Sequence, residues 1–319
     1  MNNSKKRETC DLQLESQKFS DYLHLKGYSE QTIQSFVKTL SRFKKWLNME
    51  KLEADEIGYK ELLNYIKFIK NKGNGQRTQQ HAMNVLKHYY RYLQKTEQIL
   101  ENPIQHVEIK SDKRKPLHSI LSRDELELMQ VKFKDYQPIK NSLSRQFGKN
   151  KAIKKRNEVI LSLLIHQGLR TEEIAQLNLE DIQLREAKIT IKGSRRTERR
   201  VIDIESSQLY LILDYLQEDR KRLLTELDKE TNKLIFSYGT SDKVQNVFQS
   251  LLKALKKCYP KLQDMKQIRA SVISDWLQKY NLRKAQYLAG HRYVSSTEAY
   301  LGNDISELQN NIKQYHPMG

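Results

Sequence analysis

The sequence predicts a mainly α-helical protein of two domains, the second carrying one small antiparallel β-sheet. Three observations carry this prediction. Apolar residues recur at helical spacing through most of the chain. A basic stretch without periodicity, bracketed by Pro103 and Pro116, interrupts them. A single segment, AKITIKGSRRTERRVIDIE, alternates apolar and polar residues instead. A chain of 319 residues is long enough for about two domains, each with its own core.

The first hundred residues read as four helices. Phe19, Tyr22 and Leu23 share a face of the first, which breaks at KGYS. The second carries Ile33, Phe36, Val37, Leu40, Phe43, Trp46 and Leu47, with Ser29 placed to cap it. YKELLNYIKFIKNKG gives a third helix that stops at Gly73, and QRTQQHAMNVLKHYYRYLQKTEQ a fourth, with Thr78 as its expected cap. The polar faces are expected to expose Lys38, Arg42, Lys44, Lys45, Arg77, Lys87 and Arg91. Singly each is a solvated charge; as a set they suggest contact with a DNA backbone.

The expected organisation is a disordered N-terminus over 1–11, a first domain over 12–111, a linker over 112–121 and a second domain over 122–319. Ser122 and Glu125 form a capping box that opens the second domain's first helix. The basic run GKNKAIKKR then reads as a surface loop, either flexible or facing DNA. RNEVILSLLIHQGL and TEEIAQLN are helical, followed by two short strands joined by a charged turn that holds Arg195 and Arg196. Helices resume through SSQLYLILDYLQEDRKRLLTEL, KVQNVFQSLLKALKKCY, QIRASVISDWLQKY and LRKAQYLAG, with no internal repeat.

Charge is the strongest global signal. Against 39 Asp and Glu stand 57 Lys and Arg, a formal net charge of +18. Nucleic acid is the expected partner, because a protein that neutralises phosphates gains affinity by releasing their counterions; a ribosome-associated or simply soluble basic protein is the blander alternative. No stretch approaches the roughly 18 apolar residues of a membrane span, and the polar start MNNSKKRETCDLQLES lacks the apolar core of a secretory signal. With Cys10 and Cys258 as its two cysteines, the chain has no disulfide framework and no cysteine-based zinc site. The expected home is a reducing bacterial cytoplasm, in association with the nucleoid.

Two arginines sit at helix junctions, Arg170 in HQGLRTEEIAQL and Arg269 in KQIRASVISDWL. Lys266 shares a helix face with Arg269, so both can address one anion. Lys192 is expected to project from the strand hairpin, while AGHRYVSSTEAYLG supplies His291 and Tyr300. These residues make a cation-rich group with one phenol and no clustered carboxylates, so nothing in it resembles a magnesium or zinc site.

In order and spacing, GLRTEEIAQLNLEDI, IKGSRRTERRVIDI, KQIRASV and LAGHRYVSSTEAYL resemble the successive boxes of the tyrosine recombinase (phage integrase) family, in its two-domain, Xer-like form. The resemblance implies that the first helical unit is a SAM-like core-binding domain and the second the catalytic domain. It assigns the catalytic arginines to Arg170 and Arg269, the hairpin lysine to Lys192, the box histidine to His291 and the nucleophile to Tyr300. Lys266 stands where histidine is commoner in the family, and its Leu-Gly-His box falls on Leu288-Ala289-Gly290-His291, either with one extra residue between leucine and glycine or with Ala289 in the leucine's place.

The implied chemistry accounts for these residue types. Attack on a phosphodiester adds charge to its non-bridging oxygens, which arginine forks hold with paired, charge-assisted bonds. Neighbouring cations favour ionisation of a phenol whose ordinary pKa is near 10, so Tyr300 can form a covalent phosphotyrosine. Lys192 is the expected acid for the leaving 5′ oxygen, His291 a ligand of the phosphate or the tyrosine, and Lys266 a further charge or proton carrier. No cofactor is called for. A second DNA 5′ hydroxyl then attacks the phosphotyrosine, exchanging strands.

The resemblance further implies double-stranded DNA with an inverted-repeat core site and a homotetramer on two DNA sites. The subunits would be linked by a C-terminal exchange helix in ISELQNNIKQYHPM, and an accessory directionality protein would assist. Two alternatives share these residues: a type IB topoisomerase, which reseals the same strand, and a catalytically silent DNA-binding regulator on the same scaffold.

Overall fold

The computed structural model describes residues 15–105, 107, 119–136, 146–194, 197–228, 230–238 and 243–301. The chain forms two compact units, Met1–Lys115 and Pro116–Gly319.

The first unit is a bundle of four helices: α1 over 15–25, α2 Glu30–Glu50, α3 Tyr59–Asn71 and α4 Gln76–Lys95. Ser29 caps α2, its side chain accepting from the Thr32 backbone N–H, as its sequence position predicts. Aromatic rings fill the centre: Phe43 meets Tyr65 edge-on with centroids 4.9 Å apart, and Phe19 meets Tyr89 at 5.6 Å. Such pairs add roughly 0.5–1.5 kcal/mol each beyond their buried area.

Two expectations in this unit are corrected. Thr78 is not the cap of α4. Gly75 is, and its carbonyl already receives the Thr78 N–H at 2.9 Å. Lys44 is not on the polar face. It is 7% exposed, ion-paired with Glu15, and its ammonium lies 5.6 Å from the Tyr89 ring centroid. The helical period puts Lys44 next to Phe43 on the inward side, where Glu15, which also accepts from the Tyr89 hydroxyl, neutralises it. Lys38, Arg42, Lys45, Arg77 and Arg91 are exposed, and Lys87 is half-buried.

The second unit opens with α5, Arg123–Asp135, closed at its start by the Ser122–Glu125 capping box. The central element is α6, Gln146–His166. Residues Val159, Ile160, Leu161, Leu163, Leu164 and Ile165 are all buried, so the C-terminal half of this helix is apolar around most of its circumference, and several of the unit's other helices pack against α6. The run GKNKAIKKR is not a loop: it forms the first half of α6. Lysine and alanine are good helix formers, Ala152 is buried, and Arg156 turns inward to donate to the Phe236 carbonyl at 3.0 Å.

After α7, Thr171–Gln176, and a short 3₁₀ turn, the sheet has three strands rather than two: β1 Ile182–Gln183, β2 Lys188–Ile191 and β3 Arg200–Asp203. They are antiparallel in the order β1-β2-β3, with Ile189 opposite both Ile182 and Ile202. β1 is two residues long, too short to show an alternation in sequence. The expected long helix that follows is α8, Ser206–Asp214, and α9, Arg220–Leu227, joined by a π-helical turn over Tyr215–Asp219. The wider turn keeps both Tyr215 and Arg220 pointing inward, where they donate to the carbonyls of Leu234 and Lys233. Helices α10 Gln245–Cys258, α11 Met265–Lys279, α12 Leu282–Ala289 and α13 Ser295–Glu298 complete the unit. Among the described residues no helix is long and apolar enough to cross a membrane.

Candidate active site

Three breaks in helical structure bring the candidate residues together. α6 ends at His166, and Gly168, two residues on, turns the chain into Leu169 and Arg170 with a φ of +55°. Arg170 is the extended N-cap residue of α7. Gly290, at φ +63°, is the left-handed C-cap of α12 and sends His291 inward. Tyr300 lies just beyond α13, half-buried against the unit's core.

Arg269, on α11, is 7% exposed and joins these breaks. Its guanidinium donates to the Gly168 carbonyl, to the Ala289 carbonyl at 2.6 Å and to His291 Nε2 at 3.2 Å. Arginine can only donate, so Nε2 is the unprotonated ring nitrogen and Nδ1–H donates to Thr297 Oγ1 at 2.9 Å. The His291 ring stacks on Tyr300 with centroids 5.9 Å apart and an interplanar angle of 17°. Arg170, Lys266, Arg269 and Tyr300 line one open cavity of about 260 Å³ together with Leu169, Thr171 and Ala270. Lys266 is exposed at its edge.

Sequence reasoning missed two residues. Glu173, 8% exposed, lies among the arginines: its carboxylate accepts from the Arg170 backbone N–H at 2.9 Å, from Arg170 Nη1 at 3.3 Å and from both Arg200 Nη atoms at 2.9 Å. Arg269 approaches it to 3.9 Å. The cation-rich group therefore holds one buried carboxylate that the sequence reading did not include. One signal was available for Glu173, an acid at the third helical position after Arg170, where a side chain can fold back on the cap's N–H. For Arg200 the signal was strand alternation, which places it on the inward face with Ile202.

Lys192 is not brought to this cavity. It follows β2, half of it exposed, and its ammonium pairs with Glu180 at 3.4 Å and Asp181 at 3.5 Å. Arg195, Arg196 and the C-terminal segment 302–319, with the expected exchange helix, lie outside the described residues, as do the N-terminus 1–11 and most of the linker.

The local field is positive. Burial, then the Arg170 charge, brings Arg269 down to about 10, which still leaves it cationic at neutral pH. Burial raises Glu173, but the bonds and charge of Arg200, with the Arg170 N–H and Arg269, outweigh it, so its pKa falls below the ordinary value. Burial and then the charges of Arg269, Arg170 and Arg200 push His291 down to about 3. Between about pH 3 and 6.5 the unfolded chain therefore binds a proton at His291 that the folded chain does not, and stability rises with pH through that window. Urea unfolding of the His291→Gln variant, compared with wild type between pH 4.5 and 7, is expected to show a flatter dependence. An unchanged slope would mean that this ring titrates as in the unfolded chain.

Two guanidinium forks and a phenol thus line one open cavity, with a neutral imidazole stacked on the phenol, a set whose charge suits an anionic group. Comparison with known proteins identifies the family of the chain. The profile described as the Phage integrase family matches residues 129–307, and that of the phage integrase N-terminal SAM-like domain matches residues 16–100. The chain belongs to the phage integrase family. Among its relatives is the tyrosine recombinase XerC of Listeria innocua, 26% identical over 319 residues, covering 97% of this chain and 99% of that protein. Two solved structures share its fold. XerH site-specific recombinase bound to difH substrate in a pre-cleavage complex has a TM-score of 0.66 and 16% identity over 88% of this chain and 79% of that one. The lambda integrase tetramer bound to a Holliday junction has a TM-score of 0.64 and 14% identity over 91% and 76%. This member of the family is a site-specific recombinase of the tyrosine type. The family assignment agrees with the reading of the sequence boxes and of a mainly α fold whose N-terminal domain is SAM-like.

Proposed function

We propose that this recombinase cuts double-stranded DNA through Tyr300, which attacks the scissile phosphorus and becomes joined to the 3′ phosphate while the 5′ oxygen leaves. The observation that carries this reading is the convergence of Arg170, Arg269 and Tyr300 on one cavity, with His291 stacked on the tyrosine ring. Arg170 and Arg269 hold the two non-bridging oxygens, where charge builds in the transition state. His291, neutral and with Nε2 turned toward Arg269, receives the phenolic proton when phosphate takes over that guanidinium; the incoming negative charge raises its basicity. Lys266 adds positive charge at the cavity edge. Lys192 leaves Glu180 and Asp181 to protonate the departing 5′ oxygen. The 5′ hydroxyl of a second strand then reverses the steps on the phosphotyrosine. Lys192→Ala is expected to slow cleavage of ordinary DNA about 100-fold or more, and a 5′-thio leaving group, which needs no proton, should restore most of the rate. Loss of equal size on both substrates would remove the lysine from this role.

The partner in this reading is an inverted-repeat core site in duplex DNA. Lys38, Arg42, Lys45, Arg77, Lys87 and Arg91 of the domain proposed over 12–111, with Arg195 and Arg196, would face the backbone. Lys44 leaves the set because it is buried. Four protomers on two sites, exchanging the segment after Tyr300, would parallel the lambda integrase tetramer bound to a Holliday junction; an accessory directionality protein would then bias the outcome. Affinity for duplex is expected to fall about 1,000-fold or more between 50 and 200 mM salt if six or more phosphates are neutralised. A flat dependence would contradict the charge argument.

The test of the reading is to incubate the chain with fragmented DNA of its source organism in EDTA, denature, and sequence the DNA that stays attached to protein. A recurrent cut site flanked by inverted arms is expected. Uniform background would count against cleavage by this protein.

A further inference from the structure

We propose that Arg200 is a positioning residue for the cleavage reaction: clamped on Glu173 and seated under Gly290, it fixes the placement of Arg170 and Arg269 about the reacting phosphate. The inference rests on the reading of Tyr300 and the two phosphate arginines given above. Arg200 is 1% exposed and its fork meets Glu173 with two bonds of 2.9 Å. The same carboxylate receives the backbone N–H and one Nη of Arg170, and Arg269 stands 3.9 Å from it. One buried carboxylate thus engages both arginines that would touch substrate, and Arg200 holds that carboxylate in turn.

Space constrains the contact as tightly as charge does. A Cβ at Gly290 would lie 2.2 Å from Arg200 Nη1 and 2.7 Å from its Cζ, so the glycine beside His291 leaves room for this guanidinium. The turn before β3 is tied to the same place: Glu198 N–H donates to the Gly290 carbonyl at 3.2 Å, and Thr197 bridges His291. Arg200 therefore connects the strand hairpin, the start of α7 and the histidine turn. Its Nε is buried without a hydrogen-bond partner. Stability alone would favour an apolar residue here, because a buried ion pair seldom outdoes well-packed hydrocarbon and an orphaned N–H is a further cost. A function that needs Glu173 charged and immobile accounts for the arrangement.

The test uses the full chain and a nicked duplex carrying the cut site recovered by adduct capture, prepared with either an ordinary scissile phosphate or a methylphosphonate. Replacing a non-bridging oxygen by methyl removes the charge that the paired arginines serve. Arg200→Gln is expected to slow formation of the Tyr300 adduct about 100-fold on phosphate but less than about tenfold on methylphosphonate, with DNA affinity retained. The double variant Glu173→Gln, Arg200→Gln leaves no unpaired buried carboxylate, so its Tm should return toward wild type while its cleavage stays slow. Equal losses on the two substrates, or a double variant that regains wild-type cleavage together with its Tm, would overturn the positioning role. Adduct formation that persists in Tyr300→Phe would instead overturn the reading of the site, and this inference with it.

Discussion

Tyr300→Phe is expected to bind duplex DNA within about twofold of wild type and to form no covalent adduct, a loss of about 10,000-fold or more in cleavage, as for removal of other catalytic nucleophiles. The substitution takes away one oxygen atom. The ring keeps its stack on His291 and its packing against the catalytic unit, so the cavity keeps its shape. The cations that would hold the phosphate are unchanged, so binding and cleavage separate in this variant. Gel shift measures the first and denaturing electrophoresis the second. Residual adduct at the wild-type rate would assign the nucleophile elsewhere.

Arg269→Lys is expected to lower cleavage about 1,000-fold or more while leaving the net charge unchanged. The guanidinium reaches the Gly168 and Ala289 carbonyls and His291 Nε2 at once, while facing a cavity lined by Arg170 and Tyr300. A lysine ammonium is a point charge with no planar fork, so it cannot tie two glycine turns and still present paired donors to a phosphate. Because those carbonyls lose a buried donor, urea unfolding should also show a loss of about 1–3 kcal/mol. Single-turnover cleavage on a nicked duplex measures the catalytic effect. A lysine variant within tenfold of wild type would mean that charge alone, and not geometry, is needed here.

The main outlines of this molecule are legible in its sequence because they rest on short-range signals. Ser29 and Ser122 cap the helices they precede, and the apolar period through α2 and α4 places Phe43 and Leu86 inside. Arg170, Arg269, His291 and Tyr300 are legible from their boxes, and the fold gathers them. What escapes depends on partners far away in sequence. Lys44 looks like any solvated lysine, since its burial is made tolerable by Glu15 on another helix. GKNKAIKKR reads as a loop because its charges hide the helix that Ala152 and Arg156 anchor. Glu173 and Arg200 each look like one charge in a charged run, and only tertiary structure makes them a pair. Lys192 is marked by its position, but its attachment to Glu180 and Asp181 arises from the turn before β1, which leaves no periodic trace.

Everything proposed for the reaction depends on Tyr300 being the covalent link between protein and DNA. The most direct measurement is tandem mass spectrometry of the covalent complex after nuclease digestion, which locates the residue carrying the nucleotide remnant. A 3′-linked nucleotide on Tyr300 and on no other tyrosine is the expected result. A remnant on Tyr293, which is exposed, or on Tyr287, whose hydroxyl bonds the Val201 backbone, would contradict it.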